Sequence, residues 1–512
     1  MNQSIFAQKQ ALITVKAISY SHLLRAFLFG LILPLSFAPF HIPGAAILSI
    51  AFFYAQLIEE KNPHPVLNGL FYGLGYFGLG ISWIYVSIHE YGHLNSIVSA
   101  LITLLFLLYL SLFPALMAGI CKRLINSRYP VYSCLLFSAV WILCEYSRST
   151  LFSGFPWLLL GFGQFDAPSK YLLPIIGVFG VGFITCFAAA LLTTSIQFKG
   201  VARYLALTAF VFLLLFPSLL RQVAWAEPKA EPVSVGIIQA NLSMRDKWDE
   251  NLFWQLLQRY QDETEKLLGT QLIVMPESAI PLPPSYVEEF LGQMHKKAKK
   301  AGSAILLGIP KPTMIDENSY FNALISLGAA KGSYLKQHLV PFGEYIPKAV
   351  QTISEWLAIP DANLLPGKKN QALVKVQRHS IATLICYELA YGDLLRQQLP
   401  KGEWIVSISD DGWFGHSLAM YQQLQMAQVR SLATGRYQVV ANNDGLSSVI
   451  NAQGELVASL PAFNSGILKT TLIPATGTTP WVRVGDTPIL IFCALIILLY
   501  ALYCMFTSKL KH

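Results

Sequence analysis

Three residues of complementary chemistry stand at or near the ends of three apolar runs in this chain. Glu277 closes Leu272-Ile273-Val274-Met275-Pro276, Lys336 lies in Tyr334-Leu335-Lys336-Gln337-His338, and Cys386 follows Ile381-Ala382-Thr383-Leu384-Ile385. A thiolate is a strong nucleophile, a carboxylate can take the thiol proton, and an ammonium can stabilise an oxyanion. Meeting at one place, the three would suit acyl transfer through a thioester. Cys386 is the one cysteine between about Glu227 and Asp486; the other six (Cys121, Cys134, Cys144, Cys186, Cys493 and Cys504) lie in or beside apolar segments. It therefore has no disulfide partner within that stretch. If Tyr387-Glu388 opens a helix, the helix dipole would further favour the thiolate. Taken singly, the three residues have plainer explanations: a small core thiol, a solvated loop acid and a surface cation.

The elements around these residues alternate between strand-like and helix-like patterns. Strands are expected at 233–239, 272–276, 304–309, 321–327, 333–340, 372–376, 380–385, 404–409, 438–441 and 447–450. Helices are expected at 248–268, 286–301 and 418–434. This order gives a layered α/β sheet domain of about 260 residues, large enough for its own core. Active sites on open α/β sheets lie beyond the carboxyl ends of strands, which is where Glu277 and Cys386 fall.

The rest of the chain is of another kind. Of the 512 residues 54% are hydrophobic and 13% charged, and the mean hydropathy is +0.47, outside the range of an ordinary soluble protein. Apolar runs at 24–38, 42–58, 66–88, 97–120, 131–146, 171–196, 204–219 and 488–506 are read as eight membrane spans. With the N-terminus inside, the inner segments carry eleven Lys and Arg residues, and the short outer loops carry only Arg148 and Lys170. That bias places both termini in the cytoplasm and translocates the sheet domain. No cleavable leader is read at the N-terminus; the first span can direct insertion. The expected division is 1–221 for a membrane domain of seven spans, 222–486 for the sheet domain, and 487–512 for a last span and tail. The net charge of +8 is largely accounted for by the anchors, so it does not signal nucleic acid. No metal-ligand cluster is apparent.

Longer motifs sharpen the picture. Pro276-Glu277-Ser278, the run from Leu335 through Lys336 and Glu344 to Pro347, and Ile385-Cys386-Tyr387-Glu388 resemble the Glu-Lys-Cys signatures of the nitrilase superfamily. With the hydrophobic half, including Trp83–His89 and Gly154-Phe155-Pro156-Trp157, the chain resembles the bacterial apolipoprotein N-acyltransferase family. Gln239–Ser243, Lys247-Trp248-Asp249, Trp413-Phe414-Gly415 and Gly435-Arg436 with Asn442-Asn443 extend the match. There are departures. Ser409-Asp410-Asp411 stands where the family usually shows Ser-Asn-Asp, Tyr437 stands where Pro is usual, and Asp444 interrupts the usual Asn-Asn-Gly.

The resemblance implies a polytopic α-helical membrane protein of eight spans carrying a nitrilase-like αββα sandwich in the periplasm, anchored in the bacterial inner membrane. It implies transfer of the sn-1 acyl chain of a phospholipid to the α-amino group of an S-diacylglyceryl-cysteine apolipoprotein. Cys386 would be the nucleophile, Glu277 the base and Lys336 the oxyanion stabiliser. Glu344 would support Lys336, and Tyr387 and Glu388 would shape the site. No ATP, metal or acyl-CoA is implied.

Further expectations rest on the residues. The apolar segment 349–366, with Trp356, is either a mobile lid at the interface or a packed loop. Trp248 and Trp413 line an acyl channel or fill the core. Glu145 and Arg148 pair near the end of the fifth span. His338 or His416 could make a Cys–His protease dyad only beside Cys386, and no protease signature surrounds that cysteine. Two rival functions remain at this point: a membrane-tethered amidase or nitrilase-type hydrolase with the same triad, and a transporter or assembly scaffold whose sheet domain only binds.

Overall fold

The computed structural model describes residues 20–59, 64–92, 94–126, 128–243, 247, 249, 251–313, 319–347, 351–352 and 363–509. Its first part is helical. The helices are α1 (Tyr20–Ile32), α2 (Ala45–Ile58), α3 (Pro65–Gly80), α4 (Ser96–Leu124), α5 (Pro130–Thr150), α6 (Leu173–Gln197) and α7 (Val201–Leu215). Each apolar run expected to span is helical. Among the described residues, four segments are long and apolar enough to cross a membrane singly: those built on α4, α5, α6 and α7. A fifth is a bent pair, α3 followed by Ile84–Tyr91 at 68°, and the remaining apolar helices are shorter. The third expected span is thus broken at Ile81-Ser82-Trp83, although no proline marks the break.

The sheet half begins with β1 (Val233–Gln239), α8 (Phe253–Leu267), β2 (Leu272–Val274), α9 (Glu288–Lys300), β3 (Ala304–Pro312) and β4 (Tyr320–Gly328). It continues with β5 (Ala330–Lys331), β6 (Ser333–Leu335), β7 (Val374–Val376), β8 (His379–Ile385), β9 (Ile405–Ser409) and α10 (Ala419–Thr434). Next come β10 (Gln438–Asn442), β11 (Ser448–Ile450), β12 (Leu456–Ser459) and β13 (Gly466–Leu472), and α11 (Thr487–Lys509) ends the described chain. Besides a short antiparallel pair of Ala226–Pro228 with Ala475–Gly477, one sheet has six strands in the order β13-β1-β2-β3-β4-β6 and another seven in the order β12-β11-β10-β9-β8-β7-β5. β1, β2 and β3 run parallel, as do β8, β9 and β10; the remaining pairs are antiparallel.

Strand periodicity sorts the core. Ile238, Ile273, Met275, Ile305 and Leu307 point to one face of the first sheet and pack with Leu256, Leu257 and Tyr260 of α8 and Leu291, Met294 and Ala298 of α9. Their neighbours Val235, Ile237, Leu272, Val274 and Leu306 face the opposite way. They share a cluster with Leu384, Ile385, Val406 and Val439 of the second sheet.

The two halves are joined by buried polar contacts as well as apolar ones. Gln422 of α10 accepts hydrogen bonds from the indoles of Trp83 at 3.2 Å and Trp157 at 2.6 Å, and donates to the Gly80 carbonyl at 2.9 Å. One amide thus holds the end of α3 and the loop after α5. The expected pairing of Glu145 with Arg148 is not formed. The Arg148 guanidinium donates to the carbonyls of Phe155 and Trp157, at 2.6 and 2.8 Å, and Glu145 accepts from the Leu160 amide at 3.1 Å. In place of an ion pair, both residues brace the loop that leaves α5.

Candidate active site

Three loops converge beyond the ends of β2, β6 and β8. The first leaves β2 through Met275 and Pro276 and presents Glu277, 5% exposed. It passes so close to β3 that a Cβ on Gly308 would lie 2.6 Å from the Glu277 Cα, so only glycine fits there. The second leaves β6 after Leu335. The expected strand through Val340 stops there, because the chain turns to carry Lys336, 1% exposed, against Glu277. The Lys336 amide donates to the Asn322 carbonyl at 2.8 Å and its own carbonyl accepts from Gly367 at 2.7 Å.

The third loop holds the nucleophile candidate. Cys386 has φ of +53°, a left-handed conformation that a non-glycine side chain adopts only when its surroundings enforce it. Glu388 supplies that enforcement. Its wholly buried carboxylate accepts from the backbone amides of Ile385 (2.8 Å), Gln337 (2.6 Å) and His338 (3.2 Å) and from the Tyr334 hydroxyl at 3.0 Å. One side chain therefore fastens the cysteine turn to the lysine loop. Burial pushes the Glu388 carboxyl up to about 7, against the pull of those amides.

Within this frame Lys336 Nζ sits 3.2 Å from Glu277 Oε1 and 2.9 Å from Glu344 Oε1. Asn322 Nδ2 donates to the same two oxygens, at 2.7 and 2.9 Å. Glu344 Oε2 in turn accepts from the Val340 amide at 2.8 Å. Burial by itself lowers the Lys336 ammonium, but Glu277 and Glu344 outweigh it and hold the group well above its ordinary value. Burial raises the Cys386 thiol well above its usual range, the charge of Glu277 adds to this, and Lys336 opposes it. The resting site therefore holds a thiol and an ammonium. The expected helix dipole does not reverse this, since Cys386–Ala390 is only a five-residue 3-10 turn.

Tyr387 and Tyr391 face the helical half. Both hydroxyls donate to the Gly154 carbonyl, at 3.2 and 3.1 Å, and the Trp157 ring stacks over Tyr387 at 6.5 Å. His338 packs on Tyr391 at 3.8 Å, and burial pushes it down to about 4, so it is neutral near pH 7. Trp413 is 41% exposed and meets Tyr91 edge-on at 5.2 Å, so it does not fill the core. Trp248, Trp356 and most of the expected lid lie outside the described residues. At the lid's end, the Leu364 amide donates to the Glu344 carbonyl at 3.1 Å.

Several site residues were given no role from sequence. Asn322 is one, although an amide inside the apolar strand Tyr320–Gly328 is a readable signal. Lys247 and Asp410 are others; they form a buried ion pair behind Glu277. Ser409 is a fourth: its hydroxyl donates to Asp411 at 2.9 Å and draws the Cys386 thiol down against the burial.

Residues 29–191 match the apolipoprotein N-acyltransferase N-terminal domain, and residues 234–479 match the carbon-nitrogen hydrolase family. The apolipoprotein N-acyltransferase of Methylococcus capsulatus is 36% identical over 475 residues, 92% of this chain and 94% of that protein. That of Coxiella burnetii is 37% identical over 472 residues, 91% of this chain and 96% of that protein. Among solved structures, an amidase from Nesterenkonia sp. AN1 aligns over 51% of this chain and 97% of its own length, with 14% identity and a TM-score of 0.34. A carbon-nitrogen hydrolase domain is thus joined to an apolar helical half along nearly the full length of both relatives, and by that measure this chain is an acyltransferase belonging to the apolipoprotein N-acyltransferase family.

Proposed function

We propose that the chain moves a fatty acyl group from the sn-1 position of a phospholipid to the N-terminal amine of an S-diacylglyceryl-cysteine apolipoprotein, by a ping-pong route through Cys386. Glu277 takes the thiol proton as sulfur attacks the ester carbonyl. The Lys336 ammonium stabilises the oxyanion, the lysophospholipid leaves with the proton returned by Glu277, and a thioester remains. The lipoprotein amine then attacks the thioester, Glu277 accepts its proton, and the amide is released as Cys386 recovers its thiol. Ester, thioester and amide hand the acyl group on without an external energy source.

The observation that carries this reading is the meeting of Glu277, Lys336 and Glu344 at 2.9–3.2 Å in a buried site beside a thiol held protonated. A buried thiol next to a carboxylate is poised for removal of its proton only when an electrophile arrives. On this reading 1–221 and 487–512 are the membrane anchor, with eight spans and both termini in the cytoplasm. Residues 222–486 form a periplasmic αββα sandwich, kept at the bilayer by an anchor on each flank. Trp413, partly exposed and set edge-on to Tyr91, borders the acyl path.

The test is mass spectrometry of the full-length protein after exposure to phospholipid vesicles. The Cys386 peptide should gain the mass of a fatty acyl group and lose it when a diacylglyceryl lipopeptide is added. Cys386→Ala and Cys386→Ser should fold, insert and form no acylated product. Undiminished N-acylation by Cys386→Ala would refute the proposal.

A further inference from the structure

Glu277 is gripped from two sides, and only one of them belongs to the Glu-Lys-Cys constellation. On the other side Lys247 and Asp410 form an ion pair whose side chains are 1% and 3% exposed. The Lys247 ammonium also donates to the main-chain carbonyl of Glu277 at 3.1 Å, and the Asp410 amide donates to Glu277 Oε2 at 3.1 Å. Asp410 is itself fixed by the amide of Gly412 at 3.2 Å and by Asn443 Nδ2 at 3.1 Å. Among the described residues, the side-chain hydrogen bonds of this pair thus end on Glu277, on each other or on groups that fix Asp410.

The two oxygens of Glu277 differ as a result. Oε1 already accepts from Asn322 and Lys336, so both of its lone-pair directions are taken. Among the described contacts Oε2 accepts only from the Asp410 amide. It therefore keeps a lone pair for a proton. We propose that Lys247 and Asp410 are a positioning pair, which aims Oε2 of Glu277 as the oxygen that takes the Cys386 proton. This rests on the reading of Glu277 as the base.

A buried ion pair is a poor device for stability, because desolvating both charges offsets most of their attraction. Its value here is geometric: the pair holds both the backbone and one carboxylate oxygen of Glu277, whose charge acts on the Cys386 thiol. Two more carboxyls face the pair. Burial pushes Asp411 up to about 8 and Asp444 up to about 7, so both hold protons readily near neutrality. Asp410, in direct contact with the ammonium, is the anion that balances it.

The experiment reads the thiol without its lipid substrates. Full-length protein is treated with iodoacetamide over a range of pH, and alkylation of the Cys386 peptide is followed by mass spectrometry. Glu277→Gln should slow alkylation at neutral pH by about tenfold or more and make it climb with hydroxide. Lys247→Met should do the same, by about tenfold, while Asp410→Asn, which keeps the amide and an acceptor for Lys247, should lose about threefold. The double variant Lys247→Met/Asp410→Asn leaves no orphaned charge and should match Lys247→Met. A folded double variant alkylated at the wild-type rate, with the wild-type pH profile, would overturn the positioning role. Lower yield with an unchanged rate in the folded fraction overturns it too, because that is what a purely structural pair predicts. Should neither Lys247 variant accumulate, a wild-type profile for Asp410→Asn overturns the proposal. A wild-type rate for Glu277→Gln would instead sink the assignment of the base itself.

Discussion

The two sides of Glu277 hold the same kinds of groups and do different work. Toward Cys386, one ammonium is shared between two carboxylates, Glu277 and Glu344, with Asn322 bridging them. On the side of Lys247, one ammonium meets one carboxylate, with backbone groups completing both. The first side has an excess of negative charge and bears on the thiol; the second is balanced and closed. Charge left uncompensated beside a reacting atom can respond to the reaction, whereas a compensated pair can only hold geometry.

Breaking the open side should therefore have the largest effect. Lys336→Met leaves Glu277 and Glu344 facing each other without a cation and removes the oxyanion partner. Thioester formation, followed by acyl-peptide mass spectrometry, should fall by about 10³-fold or more. Glu344→Gln keeps a side chain of the same shape but gives up one charge-assisted bond to Lys336. A loss of about 10- to 100-fold is expected in single-turnover acylation, corresponding to about 1.5–3 kcal/mol. If both variants act as wild type, the two sides are not different in kind.

The smallest effect sharpens the comparison from the closed side. Among the described residues, one buried carboxylate oxygen of Asp444 has no hydrogen-bond partner, and burial raises its pKa to about 7 from an ordinary value near 3.8. A carboxyl whose folded pKa lies above its unfolded one is protonated in the fold at low pH and weakens the fold as pH rises through that window. Asp444→Asn should therefore raise the melting temperature by about 2–4 °C at pH 8, with the gain fading toward pH 5. An equal gain at both pH values would mean that charge is not what strains this position.

Much of the open side was legible in the sequence. Glu277, Lys336 and Cys386 each stand where an apolar run ends, and strand ends on an α/β sheet are where sites form. The closed side was not legible, because its contacts join residues far apart in the chain. Lys247 and Asp410 are 163 positions apart; on the open side Asn322, missed for the same reason, reaches Glu277 across 45. No local pattern encodes such a meeting; only the pairing of strands brings it about. Strand β12 was missed because its Leu456 and Val457 are exposed at a sheet edge, without the alternation that marks a half-buried strand. The helical boundaries were closer, since continuous apolar runs are a stronger signal than short strands. The bend after α3 was not foreseen, because Ile81-Ser82-Trp83 looks like the rest of its span.

The Gly154 carbonyl is a single acceptor for two phenols, one of them next in the chain after the sulfur. A sheet half cut free of its anchor would leave both hydroxyls facing the gap, and each would have to find water or another partner by turning away. Detachment would thus disturb the turn that carries the thiol even if every strand kept its place. The helical half is, in that sense, a wall behind the cysteine turn, and a truncated sheet half is a different object from the same residues held in the whole chain.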